Sequence, residues 1–136
     1  MCLHYIFTNE DTDNEPEIEL YNPLSENADP AIKQLSQFGK LKMKGRLGSI
    51  PTIFEIDLGN GEGCRYPSSS STTNYLVKVR GVILNPDKSF HFILTDFLEG
   101  RVAIGKFDGI LSADGSTFTG EYTSHYGKVI KFKFER

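Results

Sequence analysis

From Lys40 onward, apolar and polar residues alternate along one segment after another, and this period of two constrains the fold more than any other feature of the sequence. Successive side chains of a β-strand point to opposite faces, so such alternation is typical of strands with one buried and one exposed face. In the last segment, Ile130, Phe132 and Phe134 alternate with charged residues. Seven segments show the pattern, at 40–47, 51–58, 75–84, 89–97, 101–111, 117–123 and 128–135. The sequence therefore predicts an all-β, mainly antiparallel meander.

Two further elements are predicted before this meander. Residues 3–8 are apolar enough to supply an eighth strand. Residues 30–38 predict one short helix, because an aspartate precedes them, Pro30 stands at the first helical position and a glycine follows. Eight strands in an open sheet would leave two edges unpaired, whereas closure into a barrel removes both. We therefore expect a small up-and-down barrel of about eight strands, with a β-sandwich as the alternative.

The length of 136 residues predicts a single domain over 1–136, with an acidic loop at 9–29, the short helix and a β-meander over 40–135. Charge is divided unevenly within it. Residues 1–39 carry eight acidic and one basic residue, so their net charge is −7, while the remainder carries ten acidic and fourteen basic residues, or +4. The acidic loop could dock a protein partner, or it could be a solvated segment.

The segment 59–74 interrupts the alternation with a run of glycines followed by a run of serines and threonines. It shows no strand pattern, so we expect a loop of about sixteen residues, longer than most connections within a domain. Loops of this length often carry function. In a barrel it would lie at the mouth, where we would look for a site first.

Motifs for several kinds of chemistry are missing from the sequence. The glycines of 59–63 are not followed by the lysine and helix of a phosphate-binding loop, and Asp57, Asn60 and Glu62 do not match a calcium loop. The three histidines have no ligand spacing, so no metal and no cofactor is predicted. An isoelectric point near 5.6 makes nucleic-acid binding unlikely.

The cellular location is predicted from similar observations. The N-terminus does not resemble a signal peptide, and no apolar stretch is long enough to span a membrane. The two cysteines, Cys2 and Cys64, are too few for a disulfide framework, and we expect reduced thiols. These observations predict a cytoplasmic protein, with no membrane partner and an undetermined oligomeric state.

The succession of residues from Phe107 to Tyr122, with an Asp-Gly turn in its middle, resembles the hairpins of avidin-like and lipocalin-like barrels. The resemblance covers about an eighth of the chain. Generic hairpin turn chemistry would produce the same succession of residues. No ligand-contact motif of either family matches, and tryptophan, prominent in both, is absent. The resemblance implies a calycin-like barrel and assigns no family.

Three functions remain compatible with such a barrel. The first is a module that binds a small apolar or aromatic ligand, because a barrel of about eight strands can enclose one. Its candidate contacts are Tyr66, Tyr75, Arg80, His91 and Tyr122. The second is a cofactor-independent barrel cyclase or isomerase, with His91, Glu55 or Glu121 as acid or base. The third is a protein-interaction domain that uses 9–29. A barrel filled by its own side chains would argue against an enclosed ligand.

Overall fold

The structure, a computed structural model, describes residues 21–69, 75–98 and 102–136. One short helix precedes eight strands. These elements are α1 (Pro30–Ser36), β1 (Lys40–Leu47), β2 (Ile50–Asp57), β3 (Glu62–Pro67), β4 (Tyr75–Leu84), β5 (Phe90–Leu98), β6 (Val102–Leu111), β7 (Thr117–Ser124) and β8 (Val129–Glu135).

Each strand pairs antiparallel with the next one along the chain, and β8 pairs with β1 to close the sheet into a barrel. At this seam Gly45 lies opposite Phe134, and Leu47 lies opposite Phe132. The predicted eight-stranded up-and-down barrel with one short helix is therefore confirmed, and the β-sandwich alternative is wrong. Every strand of the ring has two partners, so no edge is left unpaired.

The eighth strand of the barrel is not the one that the sequence predicted. Residues 62–67 form β3, which pairs with β2 and β4 inside the segment 59–74 that we expected to be a loop. Alternation fails to reveal β3 because three successive residues, Cys64, Arg65 and Tyr66, are all buried. The segment 3–8, the predicted eighth strand, lies outside the described residues.

The helix α1 covers one end of the barrel, which we call the closed end. Asp29 caps the helix by accepting a hydrogen bond from the backbone N–H of Ala31 at 2.8 Å. Ile32 and Leu35 are buried in the hydrophobic core. The chain then enters β1 through Phe38, whose ring meets that of Phe90 edge-on at 5.9 Å. Helix and core thus seal this end with apolar contacts.

Aromatic side chains fill the barrel interior. The ring of Phe54 lies 5.0 Å from that of Phe107 and 4.5 Å from that of Phe134, and Phe92 stacks on Phe118 at 5.0 Å. An apolar void of about 10 Å³ lies between this cluster and the closed end, among Leu41, Met43, Phe54, Ile56, Leu58, Phe92, Leu94, Leu111 and Phe118. A void of this volume holds one water molecule at most, and an apolar one stays dry. Among the residues that the structure describes, the void in this half of the interior is therefore too small for a ligand.

Gly45 provides a direct test of the seam between β1 and β8. A Cβ atom at this position would overlap the carbonyl oxygen of Lys133 and lie 2.7 Å from Phe134 Cα, so backbone atoms would have to move. We expect Gly45→Ala to lower the free energy of unfolding by about 2–3 kcal/mol in urea denaturation. The control is Gly59→Ala, where a Cβ meets only the side chain of Asp57 and the loss should be about 1 kcal/mol or less. Equal losses at the two glycines would contradict the closed seam.

Cys64 is fully buried and disulfide-bonded, so the prediction of reduced thiols is wrong at this position. The sequence contains one other cysteine, Cys2, which lies outside the described residues. Among the residues that the structure describes, no helix is both long and apolar enough to cross a bilayer.

Candidate functional site

The end of the barrel opposite α1, which we call the open end, is where β1, β3, β5 and β7 finish and the other four strands begin. One layer below this end, the interior changes from apolar to polar. Arg65 near the end of β3, Asp96 near the end of β5 and Tyr122 near the end of β7 all project inwards here. Tyr75, at the start of β4, completes the group. We call these four residues the open-end cluster.

The centre of the open-end cluster is a buried ion pair. Arg65 donates two hydrogen bonds to Asp96, from Nε to Oδ1 at 3.0 Å and from Nη2 to Oδ2 at 2.7 Å. The side chain of Asp96 is fully buried, and that of Arg65 is 10% exposed. Two parallel hydrogen bonds hold both groups in one geometry, because the planar guanidinium matches the carboxylate. The pair therefore places a fixed, internally neutralised dipole inside the barrel.

Two tyrosines complete the polar and aromatic contacts of this pair. The hydroxyl of Tyr122 donates to Asp96 Oδ2 at 2.9 Å. The guanidinium carbon of Arg65 lies 4.0 Å above the ring centre of Tyr75, a cation–π distance. Asp96 thus accepts three hydrogen bonds without access to water, and the cation is held between a carboxylate and an aromatic face.

The electrostatics of the cluster follow from burial and from the ion pair. Burial by itself would lower the pKa of Arg65, but the hydrogen bonds and charge of Asp96 outweigh it and raise that pKa. Burial, together with the nearby charge of Asp96, raises the pKa of the Tyr122 hydroxyl well above its usual value. Arg65 is therefore charged and Tyr122 neutral throughout the physiological pH range.

The rim above this cluster is apolar. Five of the eight strongly exposed large apolar side chains among the described residues lie at the open end, at Ile50, Leu98, Val102, Tyr126 and Val129. These five residues, which we call the apolar rim, belong to three different pairs of adjacent strands. Apolar groups on several sides of one mouth are typical of a surface that contacts an apolar partner or ligand.

The residues predicted to contact a ligand are divided between this site and the outer wall of the barrel. The structure brings Tyr75 and Tyr122 together in the open-end cluster. Tyr66 and Arg80 project outwards, since Tyr66 follows the inward Arg65 and Arg80 follows the core residue Val79. His91 is also on the outer wall.

The ion pair of Arg65 and Asp96 was not predicted to be part of a site. Arg65 lies in the segment 59–74 that was expected to be a loop, and Asp96 lies in the predicted strand 89–97. A signal for Asp96 does exist in the sequence, because it shares the inward register of Phe90, Phe92 and Leu94. A carboxylate on an otherwise apolar strand face indicates a buried partner.

His91 and Glu121, two of the predicted catalytic residues, line one shallow concavity on the outer wall. This concavity has a volume of about 410 Å³ and is open to solvent. His91 Nε2 contacts Asp108 Oδ1, and Asp108 lies opposite Glu121 in the strand register. A carboxylate can orient an imidazole for proton transfer, which makes this pair the best placed acid–base group on the outer wall.

Glu55, the third predicted catalytic residue, lies on another part of the outer wall. It accepts a hydrogen bond from the hydroxyl of Tyr66 at 2.6 Å. This hydrogen bond lowers the pKa of Glu55 and raises that of Tyr66 to about 12. The structure therefore does not bring Glu55 together with His91 and Glu121 in one site.

Fold and site together define a small, closed, antiparallel β-barrel with a filled aromatic core and a buried ion pair below one end. Within the described ranges, no cluster of three or more His, Cys, Asp or Glu side chains is suited to hold a metal ion. No protein-family model, curated protein or solved structure matches the chain. The resemblance to avidin-like and lipocalin-like hairpins therefore stays a prediction.

Proposed function

We propose that the protein is a binding module that takes a small, largely apolar, uncharged ligand at the open end of the barrel. The observation that carries this proposal is the position of the open-end cluster directly below the apolar rim. The proposal keeps the ligand class predicted from the sequence and changes where the ligand binds.

The filled interior supports binding at the mouth of the barrel. Phe54, Phe107 and Phe134 occupy the middle of the barrel, and the void beside them has about 10 Å³. A drug-sized ligand occupies several hundred Å³, so the core would have to unpack to admit it. At the open end, by contrast, a ligand gains contacts with side chains that are already exposed.

The chemistry of the cluster supports an uncharged ligand. The charges of Arg65 and Asp96 neutralise each other through two hydrogen bonds, so neither charge remains to balance an ionic group. Tyr75, at the start of β4, is partly exposed, and Arg65 lies over its ring face. Aromatic and aliphatic surface with a few fixed polar groups is the usual lining of a small-molecule site.

The ion pair itself favours a functional role over a purely structural one. Replacing a buried ion pair with apolar residues of similar volume is often neutral or stabilising, so stability alone does not explain its presence. Fixed polar groups beneath an apolar mouth orient a ligand, which apolar residues at the same positions would not do.

The apolar rim provides the test, with the neutral fluorescent amine 1-aminoanthracene as the probe. Ile50 and Ile83 are 54% and 55% exposed, but Ile50 belongs to the rim whereas Ile83 lies near the closed end. We expect the probe to bind the native protein, and Ile50→Ser to raise its Kd several-fold. The matched variant Ile83→Ser should leave the Kd unchanged. Absence of binding, or equal effects of the two substitutions, would refute the proposed site.

The enzyme hypothesis is a second candidate, and the His91–Asp108 pair is the observation that favours it. This pair faces the solvent-open concavity rather than the barrel interior, so a cyclase that encloses its substrate in the barrel would not have it available. An acid–base reaction would have to take place on the outer wall. Loss of turnover in His91→Gln, with binding at the open end intact, would distinguish this function from the first.

The protein-interaction hypothesis and the cytoplasmic location stay predictions. The structure describes only 21–29 of the acidic segment 9–29. The disulfide bond of Cys64 argues against the cytoplasm, because disulfides persist mainly in oxidising compartments.

A further inference from the structure

Arg65 has hydrogen-bonding capacity that its ion pair with Asp96 does not use. A guanidinium carries five N–H donors, and Asp96 accepts from two of them, one on Nε and one on Nη2. Nη1, with its two N–H groups, makes no hydrogen bond to any residue that the structure describes, and it is not sealed from solvent. These N–H groups are therefore available to a bound molecule.

The accessible part of Arg65 can be reached only through the open end of the barrel. Arg65 projects inwards from β3, and every strand of the ring is hydrogen-bonded on both sides, so the wall leaves no passage to it. Towards the core, the ring of Phe107 lies 5.5 Å from the guanidinium carbon. The 10% of the Arg65 side chain that is exposed therefore faces the mouth, inside the apolar rim.

The rest of the ion pair offers a ligand little to bind. A carboxylate has about four lone-pair sites, and Asp96 already accepts two hydrogen bonds from Arg65 and one from Tyr122. Its charge also neutralises that of Arg65. The layer below the rim thus presents N–H donors without net charge, which suit an uncharged acceptor. A carboxylate ligand would instead bring a second negative charge next to Asp96 without a second cation.

We propose that the ligand carries an uncharged carbonyl oxygen, as in a ketone, an aldehyde or an amide, which accepts a hydrogen bond from Nη1 of Arg65. This ligand class rests on the binding site proposed above at the open end. The hydrocarbon part of the ligand contacts the apolar rim. Asp96 on one edge of the guanidinium and Tyr75 on its face hold the donor in place before the ligand arrives.

Fluorene, fluorenone and fluorene-9-carboxylate test the ligand class, because they share one ring system and differ in the group at one carbon. We expect fluorenone to bind the full-length protein with a Kd about five- to tenfold lower than that of fluorene, the effect of one net hydrogen bond. The carboxylate should bind more weakly than fluorenone. Equal Kd values for fluorene and fluorenone would overturn the carbonyl proposal and leave the binding site standing. Absence of binding by all three would overturn both.

Two variants test whether Arg65 is the donor. In Arg65→Met/Asp96→Leu, which removes both charges together, the Kd values of fluorene and fluorenone should become about equal. The matched control is Arg46→Met, at an exposed arginine one residue before the end of β1, and it should keep the preference of the native protein. A preference for fluorenone that persists without Arg65 would show that another group donates the hydrogen bond.

Infrared spectroscopy of bound fluorenone tests the hydrogen bond without any substitution. We expect its carbonyl stretching band on the native protein to lie at a lower frequency than in hexane, because a hydrogen bond weakens the C=O bond. A band at the hexane frequency, with fluorenone bound, would overturn the proposal.

Discussion

Asp96→Asn is expected to lower the free energy of unfolding by about 3–5 kcal/mol, because it leaves the Arg65 cation buried without a counter-charge. In the native protein the two N–H donors of Arg65 lie 3.0 and 2.7 Å from the carboxylate oxygens of Asp96. An amide of the same size would replace one of these oxygens with an N–H₂ group, which is itself a donor and cannot accept the hydrogen bond. Urea denaturation at neutral pH measures the loss.

Two further variants separate the ion pair from other effects of this substitution. Asp108→Asn makes the same chemical change on the solvent-exposed wall, where even a full ion pair would contribute at most about 1 kcal/mol. The double variant Arg65→Met/Asp96→Leu removes both charges and should regain most of the stability that Asp96→Asn loses. If Asp96→Asn costs no more than Asp108→Asn, the ion pair is not buried as described.

Phe54→Ala is expected to have an effect of similar size, a loss of about 3–5 kcal/mol in the free energy of unfolding. Phe54 is 1% exposed, and its ring contacts those of Phe107, Phe118 and Phe134 at centroid distances of 5.0, 6.5 and 4.5 Å. Removing it leaves a cavity that the closed barrel cannot collapse to fill, because neighbouring strands are hydrogen-bonded on both sides. Thermal or urea unfolding measures the loss.

Tyr126→Ala is the control for loss of an aromatic ring. Tyr126 is 86% exposed in the turn between β7 and β8, so its removal should change stability by about 0.5 kcal/mol or less. Comparable losses at Phe54 and Tyr126 would contradict a core packed by the Phe54 cluster.

The fold was predictable where one strand face is buried and the other is exposed. The strands β1, β2 and β8 show this alternation, and their boundaries agree with the prediction to within one residue. The strand β3 was not predictable in this way. Its outward residues Cys64 and Tyr66 are buried and its inward Arg65 is charged, so the pattern of buried residues and the pattern of apolar residues no longer coincide.

The candidate site was predictable only in part. Tyr75 and Tyr122, two of the candidate ligand contacts, lie in the open-end cluster, and their contact with a ligand stays a prediction. Arg65 and Asp96 are 31 positions apart in the chain, and their pairing depends on closure of the barrel. Tyr66, Arg80 and His91 were chosen as candidate contacts for the same polar and aromatic character, but they face outwards. The residue type alone does not distinguish an inward from an outward side chain.

The central claim is that a small uncharged ligand binds at the open end, and a map of backbone amide shifts tests it most directly. Isotope-labelled full-length protein would be titrated with 1-aminoanthracene and followed by NMR. We predict that the shifted amides cluster at 47–52, 96–98 and 122–129, around the apolar rim and the open-end cluster. Shifts concentrated at the closed-end turns 58–61, 85–89 and 112–116, or at the wall around His91, would contradict the claim.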